Sequence, residues 1–243
     1  MKKFISIKMI ILYFIIIISV IIIPKIIDNK LSYLSIGDSY AKGINSYGIE
    51  EYSYSDFLRD KLKGYNKLKD YTNYSYNEIT IKDLTNEIDK IQNNDLKLQK
   101  KLLKRLIQDA DIITLSIGLN DIKYYLSLEE NMNNKKINNI LKKVENDYSE
   151  LIKEIRKYYS KKIYVIEYPI TMTNDYYLLV LIKRFNSFLR NNKEVISIQV
   201  NDLEEDKIKY FNNQNSNHYN RKGYELISNK IYKMIEKGWK IIK

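Results

Sequence analysis

The stretch LSYLSIGDSYAKG, residues 31–43, reads as a strand and then stops. Leu31, Tyr33, Leu34 and Ile36 are residues that a buried strand uses. Gly37-Asp38-Ser39 follows, in a chain that has only seven glycines. Two readings fit. In one, a plain strand-to-helix turn has Asp38 or Ser39 as helix N-cap. In the other, Ser39 is a nucleophile at the carboxyl end of a parallel strand. The segments around this stretch decide between them.

Strand-like and helix-like segments alternate from there to the end of the chain. The strand candidates are Leu31–Gly37, Tyr71–Tyr76, Asp111–Ile117, Lys162–Tyr168 and Val195–Val200. Their central residues are β-branched or aromatic with few charges, as in strands covered on both faces. Helical stripes lie between and after them: Ile81, Leu84, Ile88 and Ile91; Ile137 through Ile155; a stripe from Asp175 through Phe188; and Tyr224, Ile227, Ile231 and Ile235. Five strands alternating with helices predict an α/β fold, a parallel sheet with helices on both faces. Ligands of such sheets sit beyond the carboxyl ends of the strands. The chemistry-bearing residues fall there. Ser39 follows the first strand. SIGLND, residues 116–121, puts Gly118, Asn120 and Asp121 after the third. Glu167 and Pro169 end the fourth, and His218 follows the fifth in NNQNSNHYNRKGY, residues 212–224.

Composition narrows the chemistry. The 243 residues suit one large domain with an appendage. With no cysteine, disulfides, thiolate zinc sites and a lipidated cysteine are excluded. The single histidine, His218, excludes a histidine-rich metal site, and no metal or cofactor is expected. The formal net charge of +11 is spread along helices, and no nucleic-acid motif accompanies it. It reads as a solvated surface, with attraction to an anionic cell envelope as the lesser alternative.

Residues 1–30 form their own unit. Lys2, Lys3 and Lys8 precede fifteen uncharged residues, Met9 to Ile23. As a helix these span about 22 Å. Continued to Ile27 with Lys25 snorkelling, the segment approaches the roughly 30 Å hydrocarbon core. No small-x-small cleavage site follows. The expectation is an uncleaved N-terminal transmembrane signal anchor over 1–30. The lysines put residues 31–243 outside the cytoplasm.

A serine nucleophile needs a base, an oxyanion hole and a group that orients the base. His218 is the only histidine available as base, and Asn120 can point an amide N–H at an oxyanion. With these in order, each after a strand, IGDSYAKG (36–43), SIGLND (116–121) and NSNHYNRKGY (215–224) resemble the first, third and fifth blocks of the SGNH (GDSL) hydrolases. YGIEEYSYSDFLRDKL (47–62) is similar to the family's first helix. The resemblance runs from residue 31 to about 237 and feels closest to membrane-anchored members of low-GC Gram-positive bacteria. It implies a flavodoxin-like three-layer α/β/α fold and hydrolysis of acyl esters. Ser39 is then the nucleophile and His218 the base. Asn120 and the Ser39 backbone N–H are oxyanion donors, and Gly37 lets the chain turn sharply so that Ser39 stands at the strand end.

Two positions depart from the family pattern. Its second block supplies an oxyanion N–H from a glycine; in NYSYNEITIKDL, residues 73–84, Glu78 takes that place. A one-residue shift onto Asn77 is gentler, because Asn tolerates left-handed backbone geometry. The family's orienting Asp, three residues before the histidine, is Asn215 here. Its carbonyl can accept from the imidazole, with less stabilisation of the imidazolium. Asp202, Glu204, Glu205 and Asp206 are the acids that precede this loop. The expected function is therefore an extracytoplasmic, membrane-anchored serine esterase acting on acyl or acetyl esters of cell-wall glycans or lipids. An acyltransferase would use the same residues. The alternative is a degenerate member of the fold, acting as a cell-surface binding protein.

Overall fold

The computed structural model describes residues 11–17, 30–89, 100–170, 175–212 and 218–241. Residues 11–17 are helical (α1), and Ile11, Leu12, Tyr13, Phe14, Ile15 and Ile16 are exposed. The rest of the expected anchor lies outside the described residues. Among those described, no helix is long and apolar enough to cross a membrane.

Five strands form one sheet: β1 (Leu31–Gly37), β2 (Leu68–Ser75), β3 (Ile112–Ser116), β4 (Ile163–Ile166) and β5 (Ile196–Ile198). Every pair is parallel, in the order β2-β1-β3-β4-β5. That is the flavodoxin-like order, with its topological switch point between β1 and β3. The register pairs Gly37 with Ser75 on one side and with Ser116 on the other, so all three strands end level there. The central strands β3 and β4 are buried throughout, as their uninterrupted apolar runs require.

The helices follow in chain order: α2 (Ser39–Lys42), α3 (Tyr54–Gly64), α4 (Ile81–Asp89), α5 (Lys100–Asp109), α6 (Leu119–Ser127), α7 (Asn134–Arg156), α8 (Tyr176–Asn191), α9 (Asn201–Glu204), α10 (Lys207–Tyr210) and α11 (Arg221–Ile241). α3 packs on α11; α4, α7 and α8 pack among themselves. Right-handed crossovers put these two groups on opposite faces of the sheet. The predicted stripes face the core: Ile81, Leu84 and Ile88 are fully buried, as are Val144, Leu151 and Ile155, and Ile227 and Ile231. Ile91 lies outside the described residues.

Two differences from the sequence expectation have physical causes. β2 starts at Leu68 rather than Tyr71, because it is an edge strand and tolerates exposed Lys69 and Asp70. α5 was not expected. Among its described side chains Leu103 and Ile107, one turn apart, are buried and Leu106 is half-buried against the core, in a run that is otherwise rich in charged residues.

Candidate active site

The site is built where β1 ends. Gly37 has φ +152°, and a Cβ there would lie 2.2 Å from the Ser116 carbonyl oxygen on β3. Only glycine lets the two strands run this close at the turn. The Asp38 N–H then donates to the same Ser116 oxygen at 2.8 Å. The Asp38 side chain is buried and N-caps α2, accepting from the Tyr40 N–H at 3.0 Å. It also accepts from the Ser116 hydroxyl at 2.7 Å and the Tyr168 hydroxyl at 2.5 Å. Burial pushes its pKa up, while these donors oppose the shift. One carboxylate thereby ties the ends of β1, β3 and β4 together. With Asp38 as the cap, Ser39 is the first residue of α2, and its N–H has no partner within the helix.

The Ser39 hydroxyl meets the His218 Nε2 at 2.8 Å. The two residues are 179 positions apart, and Tyr40, Ser46 and Tyr219 help hold the histidine. Tyr40 lies with its ring centroid 5.1 Å from the imidazole, tilted by 30°. The Ser46 hydroxyl donates to the His218 carbonyl at 2.7 Å. Tyr219 is fully buried against Phe211, Tyr224 and Tyr40. The following residues start α11: the Asn220 side chain accepts from the Gly223 N–H at 3.1 Å and donates to the Lys209 carbonyl at 2.9 Å. Burial, helped by the Lys123 charge, pushes the His218 pKa down to about 4. The imidazole is thus neutral at pH 7. With its proton on Nδ1, Nε2 is free to accept from Ser39.

The neighbouring rim comes from the β2–α4 and β3–α6 connections. Beyond β2, the Tyr76 N–H donates to the Gly37 carbonyl at 3.0 Å. Glu78 then adopts φ +61°. The expected shift onto Asn77 does not occur; Glu78 itself takes the left-handed position, with its side chain exposed to solvent. The Asn120 amide donates to the Ile79 carbonyl at 3.0 Å. Asp121 accepts from the Ile81 N–H, at 3.1 Å to each oxygen, and so caps α4 from another element. Burial raises the Asp121 pKa to about 7. Gly118, at φ +120°, caps α6 where a Cβ would strike the Phe185 ring at 2.7 Å.

A family model, GDSL-like Lipase/Acylhydrolase, matches residues 33–231. The chain belongs to this family. It is accordingly an ester hydrolase by class. Solved structures share its fold at 15–16% identity over 84% of the chain. A lipase, Lip_vut3, from a goat rumen metagenome aligns over 96% of its own length with a TM-score of 0.68. A catalytic mutant of Axe2, an acetylxylan esterase from Geobacillus stearothermophilus, aligns over 93% with a TM-score of 0.60. A family 3 carbohydrate esterase from Clostridium thermocellum aligns over 94% with a TM-score of 0.54. Among curated proteins, none matches.

In this GDSL-family hydrolase, Ser39, His218, Gly37 and Asp38 meet at one point. Asn120, Asp121, Gly118 and Glu78 form the adjoining rim. Asn215 lies outside the described residues. Three of the acids before its loop are engaged elsewhere: Asp202 pairs with Lys230, Glu204 accepts from the Ile170 N–H at 2.7 Å, and Asp206 caps α10. Glu167 is fully buried in a bidentate pair with Arg190, at 2.8 and 2.6 Å, which makes it structural. Sequence reasoning missed Tyr168, Ser116 and Ser46. Tyr168 and Ser116 sit at ends of expected strands, which was the one signal available for them. Among the described residues no cluster of His, Asp or Glu is suited to holding a metal ion.

Proposed function

We propose that the protein is a membrane-anchored, extracytoplasmic serine esterase with Ser39 as nucleophile and His218 as base. The 2.8 Å contact between Ser39 Oγ and His218 Nε2, at the switch point of the sheet, carries this reading. Ser39 attacks the ester carbonyl as His218 Nε2 takes its proton. The Ser39 and Glu78 backbone N–H groups and the Asn120 amide hold the oxyanion. One Asn120 amide hydrogen is committed to Ile79, and the second remains for the substrate. The intermediate collapses, and the imidazolium returns the proton to the leaving alcohol. Water, activated by the same imidazole, then releases the acid from the acyl-enzyme; a second alcohol in its place gives acyl transfer. Asn215, three residues before His218, stands where the family has its orienting Asp and is assigned that role.

The substrate is an acyl or acetyl ester of the cell envelope. Acetyl esters of glycans accord with relatives named acetylxylan esterase and carbohydrate esterase, and lipid esters with the one named lipase. The anchor over 1–30 rests on Lys2, Lys3 and Lys8 before the apolar run. A second reading, a binding protein on the same fold, is favoured by Glu78 and Asn215 standing where the family has Gly and Asp. A fluorophosphonate serine probe separates them. Labelling of the wild type that is lost in both Ser39→Ala and His218→Ala supports the esterase. A folded wild type that is not labelled supports the binding protein.

A further inference from the structure

Among the described residues from Lys30 on, the exposed tyrosines are Tyr47, Tyr65, Tyr76, Tyr124 and Tyr176. Tyr65 is at the far edge of the sheet, where α3 ends, and its ring is stacked on Tyr232 at 5.2 Å. The others stand one each on the connections that leave the carboxyl ends of β1, β2, β3 and β4, the edge that carries Ser39. Their exposure runs from 48% for Tyr76 to 69% for Tyr176.

Backbone and side-chain contacts fix these positions around the site. Tyr47 follows Ser46, whose hydroxyl donates to the His218 carbonyl at 2.7 Å. The Tyr76 N–H donates to the Gly37 carbonyl at 3.0 Å, two residues before the nucleophile. Tyr124 comes four residues after Asn120 on α6 and so lies on the same side of that helix. Tyr176 opens α8, and the Tyr177 hydroxyl donates to the Met132 carbonyl, between α6 and α7, at 3.3 Å.

The rings are also braced. Tyr76 packs edge-on with Tyr74 at 5.2 Å, Tyr124 with Tyr125 at 5.3 Å, and Tyr176 with Tyr177 at 5.5 Å. The bracing rings are themselves held: the Tyr74 hydroxyl donates to Glu87 at 3.1 Å and the Tyr125 hydroxyl to Asp147 at 3.3 Å. The Tyr47 N–H donates to the buried Asn45 side chain at 2.8 Å. Rings fixed in this way lose little freedom when a ligand covers them.

A glycan fits such a rim. A tyrosine offers an apolar ring to the C–H face of a sugar and a hydroxyl to its polar edge. Each ring has a polar neighbour in sequence, Ser46, Asn77, Lys123 and Asp175 respectively, so no continuous apolar groove for an acyl chain is written there. The strands from β2 to β4 span three inter-strand spacings, about 14 Å. A small ester seated at Ser39 does not reach across that distance, whereas several linked sugars do. The direction of β1 argues against a bilayer as occupant. The chain enters the sheet at Leu31, beyond the apolar run, and reaches the site after seven residues, about 23 Å away. The catalytic edge is thus turned away from the anchored end.

We propose that Tyr47, Tyr76, Tyr124 and Tyr176 form a binding rim for a polysaccharide chain, and that the acyl group cleaved at Ser39 is carried by a sugar within that chain. The inference deepens the proposed function and rests on Ser39 and His218 as nucleophile and base.

A size series on the full chain in detergent micelles tests this. O-acetylated xylan is compared with acetylated xylose, and O-acetylated peptidoglycan strands with O-acetylated N-acetylmuramic acid. For at least one backbone the wild type should prefer the polymer by about 10-fold in kcat/KM per acetyl group, mainly through KM. Tyr124→Ala and Tyr176→Ala should each lower that ratio by roughly 3-fold, the scale of one aromatic contact, and Tyr→Trp at either position should keep it. Ser39-dependent hydrolysis with no polymer preference on either backbone overturns the rim alone. So does a preference that is the same in wild type and in the variant lacking all four rings. Faster Ser39-dependent hydrolysis of monoacylglycerol in phosphatidylglycerol vesicles than of either polymer overturns the glycan in favour of a lipid surface. Absence of Ser39-dependent hydrolysis of every ester overturns the serine–histidine reading itself. The rim is then judged by co-sedimentation of Ser39→Ala with insoluble peptidoglycan and xylan, and failure to bind either overturns it too. The wild-type ratio decides the substrate class even if the variants fail to fold.

Discussion

Glu78 holds a left-handed backbone, φ +61°, at the position where the family uses glycine. For a residue with a Cβ this conformation costs about 1–2 kcal/mol. Glu78→Gly should therefore raise stability by about 1 kcal/mol, read as a higher Tm. It should also raise kcat on a neutral ester, since it removes a carboxylate near a developing oxyanion. A lower Tm would mean that the Glu78 side chain makes stabilising contacts of its own. His218 has the second consequence at this scale. A base whose pKa is about 4 stays neutral well below pH 6, so the acid limb of kcat/KM should fall near pH 4. A limb near 6.5 would refute burial as the governing effect. The sign for stability is the same: the unfolded chain binds the proton first, so stability falls as pH drops from about 6.5 towards 4.

At the scale of elements, the site depends on one helix being capped by another. Asp121, on α6, accepts from the first N–H of α4 and so steadies the turn that presents Glu78. Asp121→Ala removes this cap and should cost about 1 kcal/mol. Activity should fall with it, because the Glu78 N–H is no longer held. Asp121→Asn keeps an acceptor without the charge. The Asp121 pKa, about 7, lies above its unfolded value, so its stabilisation is complete below about pH 4 and is lost as pH rises through 7. Thermal unfolding at pH 5 and pH 8 should then show Asn gaining on the wild type at the higher pH and Ala lowest at both. Identical pH slopes for wild type and Asn would show that Asp121 does not titrate in this range.

For the whole molecule, the sheet starts at Leu31, immediately beyond the lysine-flanked apolar run. The proposed topology predicts a full-length membrane-bound protein whose residues 31–243 are digested by protease added to intact protoplasts. Protection of that domain in sealed protoplasts would reverse the orientation. A mature chain beginning near residue 25 would remove the anchor. The molecular charge belongs to this scale as well. Residues 1–30 carry five Lys against one Asp, and the remaining excess is distributed over the domain.

Local sequence carried the strands, the helical stripes and the order of chemistry-bearing residues, because periodicity and strand ends are properties of neighbouring positions. Gly37, Ser39, Asn120 and His218 were legible as candidates for that reason: Gly37 ends a strand, Ser39 and Asn120 come shortly after one, and His218 lies in a polar stretch before a helix. Edge strand β2 and helix α5 were read incompletely, since a polar edge and a short, lysine-rich helix leave little periodic signal. The Tyr168–Asp38 bond spans 130 positions and the Asp121–Ile81 cap spans 40. Nothing local encodes these contacts. They exist because parallel pairing brings the ends of β1, β3 and β4 level, and only the tertiary structure decides which side chains meet across that edge.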